Sequence, residues 1–341
     1  MAKFIRFKLS KFSWPCIFLI ALVIPSSALA DTWQLQAGTE SPNRGKQGLA
    51  FLPNEIWIHV GDSIRWTFPT HERHTLTFLK PGQTRPPAFG PTFGVLVGCP
   101  GVTPDESSFD GSTCVTSDVL LIDQNTITPP TYSVTFPTAG NFKFVCLVHV
   151  DMTGVVHVLN LSEPLPHDQD FYDRQAQSEQ ARLLADASAM VDQQGNDVAA
   201  GIGEVVTMTG AGSQTVSLMR FARETIVVRV GDTVEWTSLD PSINHTVTFG
   251  VEPADPRPPS ANVTHALDGA RQAVMSLTSD SVNSGFLSPA PQDRANLVQS
   301  NPGVTRFRVT FTSQGTFHYI CAVHDQLGMG GTVIVRPMEV K

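Results

Sequence analysis

The chain repeats itself once, and this repeat constrains its fold more than any other feature. A Gly-Asp turn, a tryptophan and a His-Thr-x-Thr-Phe block occur around His74 and again around His245. Each block is followed by a strand-like run that ends in Cys-x-x-His, at Cys146 and at Cys321. The copies are 171 residues apart at the histidines and 175 at the cysteines. A period this long indicates two tandem domains and not a solenoid.

Length and composition agree with two domains rich in β-structure. A chain of 341 residues has room for about two domains. Its 41% hydrophobic residues are enough for a core in each, while a charged fraction of only 16%, with 25 Pro and 26 Gly, favours short strands and many turns. Alternate residues before each cysteine are aromatic, so the rings and the thiolate are predicted to share the core face of a strand. These residues are Phe142, Phe144 and Cys146 in the first copy and Phe317, Tyr319 and Cys321 in the second.

Each copy brings together one thiolate, two imidazoles and one thioether. Soft sulfur with imidazole in a His₂Cys set with a weak axial Met is the donor set of copper electron-transfer sites. Zinc is the weaker alternative, because structural zinc sites gather four Cys or His ligands in closely spaced pairs. A copy that keeps the fold but binds no metal is a further alternative, although both copies contain every ligand type. The backbone or hydroxyl of Thr75 and Thr246 is expected to hydrogen-bond near the thiolates.

Both copies resemble the cupredoxins, the plastocyanin and azurin family of blue (type 1) copper proteins. The spacing of Cys, His and Met in the second copy is similar to that of plastocyanin, while the first copy has a shorter loop before its Met. The resemblance implies an all-β chain of two tandem Greek-key β-sandwiches, each with one type 1 copper. It implies as copper ligands His74, Cys146, His149 and Met152 in the first copy, and His245, Cys321, His324 and Met329 in the second.

Residues 1–30 have the pattern of a cleavable signal peptide, with four basic residues, an apolar run and an Ala-x-Ala site that ends at Ala30. We therefore expect a periplasmic or secreted protein without stable membrane insertion after cleavage; a retained membrane anchor is the alternative. Cleavage would leave 19 basic against 31 acidic residues, a formal charge of −12. This charge argues against nucleic acid and favours redox protein partners, basic ones among them. It is equally consistent with a role in solubility alone.

The remaining segments define the predicted domain limits. The first domain (the first unit) spans 31–163, a helical linker spans 164–199 and the second domain (the second unit) spans 200–341. Helical spacing predicts a connector that packs an apolar stripe on one domain, with a partner-binding helix as the alternative. The stripe consists of Tyr172, Ala176, Glu179, Leu183, Ala187 and Met190. In an oxidising compartment Cys99 and Cys114 are expected to form a disulfide, with a third metal site as the alternative.

The expected function is electron transfer by two type 1 copper sites. Copper storage or delivery is the alternative, and a nitrite reductase-like copper enzyme is a third class. Nitrite reductases and multicopper oxidases place a histidine directly before the copper-binding cysteine, whereas Val145 and Ile320 stand there in this chain. Because we find neither a His-x-His nor a His-Cys-His motif, we expect an electron carrier and not an enzyme.

Overall fold

The computed structural model describes residues 30–88, 90, 99, 106–123, 127–194, 200–201, 204–288 and 304–338. Most of their regular structure is β-strand, in short runs rich in Val, Ile, Thr and aromatic residues, which suit a pleated and half-buried surface. Residues 1–29, the greater part of the predicted signal peptide, lie outside the described residues. Among the described helices, none has the length and apolar character needed to span a membrane.

The strands of the first unit form two sheets around one core. They are β1 (Thr32–Glu40), β2 (Lys46–Leu52), β3 (Glu55–His59), β4 (Ser63–Thr67), β5 (Thr77–Phe78), β6 (Glu106–Ser108), β7 (Val115–Thr116), β8 (Thr131–Thr135), β9 (Gly140–Val145) and β10 (Thr153–Leu159). One sheet has the order β2-β1-β4-β8-β6 and the other β3-β10-β9-β5-β7. Trp66, Phe78 and Phe144 are fully buried in the core between the sheets.

The second unit repeats this arrangement after a helix, α1 (Gln169–Gln194). Its strands are β11 (Ala200–Gly201), β12 (Glu204–Gly212), β13 (Val216–Phe221), β14 (Thr225–Arg229), β15 (Thr233–Leu239), β16 (Thr248–Phe249), β17 (Thr264–His265), β18 (Arg271–Met275), β19 (Val282–Asn283), β20 (Arg306–Phe311), β21 (Gly315–Ile320) and β22 (Gly330–Arg336). One sheet has the order β17-β18-β20-β15-β12-β13, and the other β14-β22-β21-β16-β19. The predicted all-β class with sandwich architecture is confirmed.

A strand pair joins the two units directly. β2 and β13 are antiparallel neighbours, with Lys46 opposite Leu218 and Gly48 opposite Val216. The pairing merges one sheet of each unit into a single sheet, which has 12 strands when β11, paired with β12, is included. It also covers two strand edges whose backbone groups would otherwise be unpaired.

The helix α1 contacts both units, which corrects the expectation that it packs on one. Near its start, the Tyr172 hydroxyl accepts a hydrogen bond from the Trp57 backbone N–H in the first unit, at 3.0 Å. Near its end, Ala187 is buried in a cluster with Ala211, Val216 and Leu218 of the second unit. The predicted stripe therefore faces protein along its length, but the protein it faces changes from one unit to the other.

The long segment between β5 and β8, which we call the insertion of the first unit, contains the cysteine pair. Cys99 and Cys114 are joined by a disulfide with their Cα atoms 5.4 Å apart. The pair lies in the segment between β5 and β8, where the described backbone forms only short strands.

Candidate metal centres

Three predicted ligands of the first unit meet at one end of its sandwich. His74 lies in an isolated β-bridge with Leu120, and Cys146 directly follows β9. The Nδ1 atoms of His74 and His149 are 3.1 Å apart, and the Cys146 Sγ lies 3.7 Å from the Nδ1 of His149. All three side chains are buried. We call this group the first centre.

The second unit repeats the arrangement. The Sγ of Cys321 lies 3.3 Å from the Nδ1 of His324 and 3.9 Å from the Nδ1 of His245. His245 lies in an equivalent bridge with Leu287. In both groups the ligand atoms lie within 4.8 Å of one another. We call this group the second centre.

Each thiolate receives a backbone hydrogen bond from the strand beside it. The N–H of Thr75 donates to the Sγ of Cys146, and that of Thr246 to the Sγ of Cys321, both at 3.3 Å. The hydroxyl oxygen of Thr75 in turn accepts the N–H of Leu147 at 2.7 Å. These contacts, expected from the sequence, fix the position of each sulfur before any metal binds.

The two predicted methionines are held by the backbone of the same loops. The N–H of Cys146 donates to the carbonyl of Met152 at 2.9 Å, and that of Cys321 to the carbonyl of Met329 at 3.0 Å. Both methionine side chains are buried in the cluster that contains the cysteine of their unit. In the second unit the longer loop is occupied by a 3₁₀ helix, Asp325–Leu327.

The electrostatics of both groups favour thiolates. Burial raises the pKa of the Cys146 thiol, but hydrogen bonds and charge from His149 and His74 outweigh it, so the pKa lies well below its usual value. Burial likewise opposes ionisation of Cys321, and the charge of His324 with the hydrogen bond of His245 lowers its pKa well below normal. A thiolate is the form of cysteine that binds metal.

Two glycines make room for the first histidine of each centre. Gly38 and Gly210 lie at bulges of β1 and β12 with φ of 79° and 64°. A Cβ on Gly38 would lie 2.5 Å from the Nε2 of His74, and one on Gly210 2.3 Å from the Nε2 of His245. Only glycine provides both this conformation and this space.

The sequence analysis missed two buried carboxylates that touch the predicted ligands. An oxygen of Asp240 lies 3.3 Å from the Nε2 of His245. Burial lowers the pKa of His245, but the hydrogen bond to Asp240 and the thiolate of Cys321 raise it to about 9. Glu72 lies 3.5 Å from the Nε2 of His149 and 3.6 Å from that of His324. Neither acid follows a spacing that would mark it in the sequence.

A half-buried arginine also supports the first centre. The guanidinium of Arg85 donates to the carbonyl of Val150 at 2.7 Å and to that of His149 at 3.2 Å. It therefore ties down the short loop between Cys146 and Met152. Its only sequence signal is its place in the insertion, which is too weak to identify it.

One sequence expectation is wrong. The chain was expected to be an electron carrier and not an enzyme, because a His-Cys-His motif is absent. The fold nevertheless assembles two His-Cys-His groups, from His74, Cys146 and His149 and from His245, Cys321 and His324. Residues far apart in sequence meet when strands pair, so the missing contiguous motif leaves the enzyme question open.

The donor sets fit copper. Ligands about 2.0–2.3 Å from one ion in a trigonal arrangement are about 3.5–4 Å from each other, close to the observed separations of sulfur and nitrogen. The thiolate and the two imidazoles present their metal-binding atoms to the same point, and soft sulfur with imidazole suits copper. The fold and these groups therefore form β-sandwiches with donor sets that suit copper.

Comparison with known proteins shows a similarity in the second unit. A search of curated sequences returned no match. Three solved structures of amicyanin variants, two in the Cu(I) form and one in the oxidized state, are similar at 18–20% identity. They align over 40% of this chain and 85–86% of their own length, each with a TM-score of 0.23. Residues 205–336 match the sequence model of copper binding proteins of the plastocyanin/azurin family. The match covers most of the second unit, so this unit is similar to the plastocyanin/azurin family of copper binding proteins.

Proposed function

We propose that this protein transfers single electrons by means of one type 1 copper in each unit. The ligands would be the two histidines, the cysteine and the methionine of each centre, and the bound copper would supply a one-electron couple. The observation that carries the proposal is the buried His-Cys-His group, which occurs twice in the same arrangement.

The residues around each centre hold the predicted ligands in fixed positions, as is needed for an ion that changes its charge but not its ligand geometry. The sulfurs are fixed by backbone N–H groups, and the first histidines are enclosed by the glycine bulges. A site whose ligands are held in advance has little to rearrange when an electron arrives. Burial of all six His and Cys side chains excludes water from the metal-binding atoms.

The route of electrons to partners differs from a simple expectation. The simple expectation is that a redox partner docks at the ring edge of His149 or His324, next to a copper site. Both rings are only 1% exposed, and their Nε2 edges face Glu72 inside the protein. We propose that periplasmic or extracellular redox proteins exchange electrons with this chain at a surface other than these two ring edges. Its predicted net charge of −12 after signal cleavage favours basic partners.

One experiment distinguishes electron transfer from copper storage or delivery. The purified protein is titrated with copper, and affinity, colour and electron self-exchange rate are measured. We expect tightly held, coloured copper with fast self-exchange. Colourless copper that leaves readily to a chelator would contradict the proposal and favour copper handling. Three or more coppers per chain would favour a nitrite reductase-like enzyme.

A further inference from the structure

Glu72 lies between the two centres, and its position has no counterpart in the second unit. Its side chain is buried, with the residue only 2% exposed. One carboxylate oxygen lies 3.5 Å from the Nε2 of His149, and the other lies 3.6 Å from the Nε2 of His324. The equivalent residue two positions before His245 is the apolar Ile243. The carboxylate is therefore contributed once and faces both units.

The surrounding contacts hold the units together at this point. The guanidinium of Arg73, the next residue in the chain, donates to the carbonyl of Val323 beside His324 at 3.1 Å. That of Arg44 donates to the carbonyl of Gln326 in the same loop at 3.3 Å. Together with the pairing of β2 with β13, these contacts hold the loop 321–329 of the second centre against the segment that contains Glu72.

Imidazole chemistry explains why one carboxylate faces two metal ligands. The Nδ1 atoms of His149 and His324 face the thiolates. A neutral imidazole that binds metal through Nδ1 carries its proton on Nε2, which is then a hydrogen-bond donor. Outer partners of this kind orient a ligand ring and tune the metal. A buried carboxylate without such donors would be strongly unfavourable.

The geometry points to Glu72 as a positioning residue shared by both metal centres, which couples them through His149 and His324. The inference rests on the proposed function, because it concerns copper at both sites. A buried negative charge stabilises the more positive Cu(II) form over Cu(I), and the effect is strong where water is excluded. Glu72 contacts a predicted ligand of each centre, so its negative charge acts on the reduction potentials of both. A change of oxidation state at one centre therefore alters the reduction potential of the other.

The test is to measure the reduction potentials of both centres in Glu72→Gln, which removes the charge at nearly constant shape. We expect both potentials to rise. The matched control is Asp240→Asn, which removes a buried charge beside His245 alone and should raise only the second potential. No change in Glu72→Gln, or a change confined to one centre, would overturn the inference even if both coppers were bound.

A second measurement does not depend on copper. In metal-free protein the Nε2–H signals of His149 and His324, followed by NMR, should exchange slowly and both shift in Glu72→Gln. Should that variant not fold, Glu72→Asp keeps the charge but is shorter, and both signals should shift in it. An unshifted signal from either ring would overturn the inference. Absence of copper from the unmodified protein would instead refute the proposed function, while these signals would still test the bridge.

Discussion

Gly38 shows how closely a single residue controls the position of a predicted metal ligand. Because its φ is 79° and a Cβ would meet the Nε2 of His74 at 2.5 Å, Gly38→Ala should both strain the backbone and displace the ring. We expect a loss of about 1 kcal/mol or more in the free energy of unfolding and loss of copper from the first centre alone. Metal analysis and thermal unfolding measure the two effects.

The control for this prediction is Gly61→Ala. Gly61 has a φ of 95°, but a Cβ there would meet nothing within 4 Å. It should therefore show the backbone cost without the loss of copper. Equal copper contents in the two variants would show that Gly38 is not needed for the placement of His74.

Residue spacing identified the predicted ligands but not the groups that contact them. His149 and His324 stand at a fixed distance after a cysteine at a strand end, so local sequence predicts that they lie near it. Glu72 contacts histidines that are distant in sequence, whereas Asp240 contacts His245 only five residues further along the chain. A single buried acid has no sequence period, and neither residue could be identified before the fold was known.

The loop between Cys146 and Met152 is the element through which Arg85 acts. Replacing Arg85 with Met removes two hydrogen bonds from a charged donor to this loop. Such bonds contribute about 1.5–3 kcal/mol, so copper should leave the first centre roughly tenfold faster or more. Dissociation into a chelator, followed by loss of colour, measures the rate.

Two comparisons make this loop prediction specific. The loop of the second centre is held by Arg73 and Arg44 and not by Arg85, so this centre should release copper at an unchanged rate. Arg65→Met removes an exposed arginine that bonds only Ser133 among the described contacts, and it should leave both rates unchanged. Faster release from both centres in Arg85→Met would mean that the effect is not local.

The helix α1 should stabilise the chain through its small buried residues. Ala187 is fully buried against Ala211, Val216 and Leu218, so Ala187→Leu overfills a packed contact. We expect a loss of about 1–3 kcal/mol in the free energy of unfolding, measured by chemical denaturation. Ala189→Leu on the exposed side of the same helix is the control and should have little effect. Equal losses would show that the helix does not pack as described.

The alternation of apolar residues predicted individual strands better than it predicted which elements pack or pair with one another. Alternation in β9 and β21 correctly placed Phe144 and Tyr319 in the core. The pairing of β2 with β13 and the contact of α1 with both units were not predicted. An edge strand has the same alternation whether its neighbour is solvent or another strand, so the partner cannot be read from the pattern.

At the scale of the whole molecule, the continuous sheet and buried Glu72 should make the two units unfold together. Calorimetry of the metal-free chain is expected to give one cooperative transition. Unfolding of either unit alone would break the β2–β13 pairing and expose the Glu72 carboxylate to water. Because the predicted ligands meet only in the folded form, copper should bind that form more tightly and raise the transition temperature. Two well-separated transitions without metal would contradict this description.

The central claim, one type 1 copper in each unit, is tested most directly by visible absorption combined with metal analysis of Cys146→Ser, Cys321→Ser and the double variant. We expect two coppers per unmodified chain and a strong band towards the red end of the visible spectrum. Each single variant should keep one coloured copper, and the double variant should keep none. Complete loss of the band in only one single variant would contradict the claim, since it would leave the other unit without a blue centre.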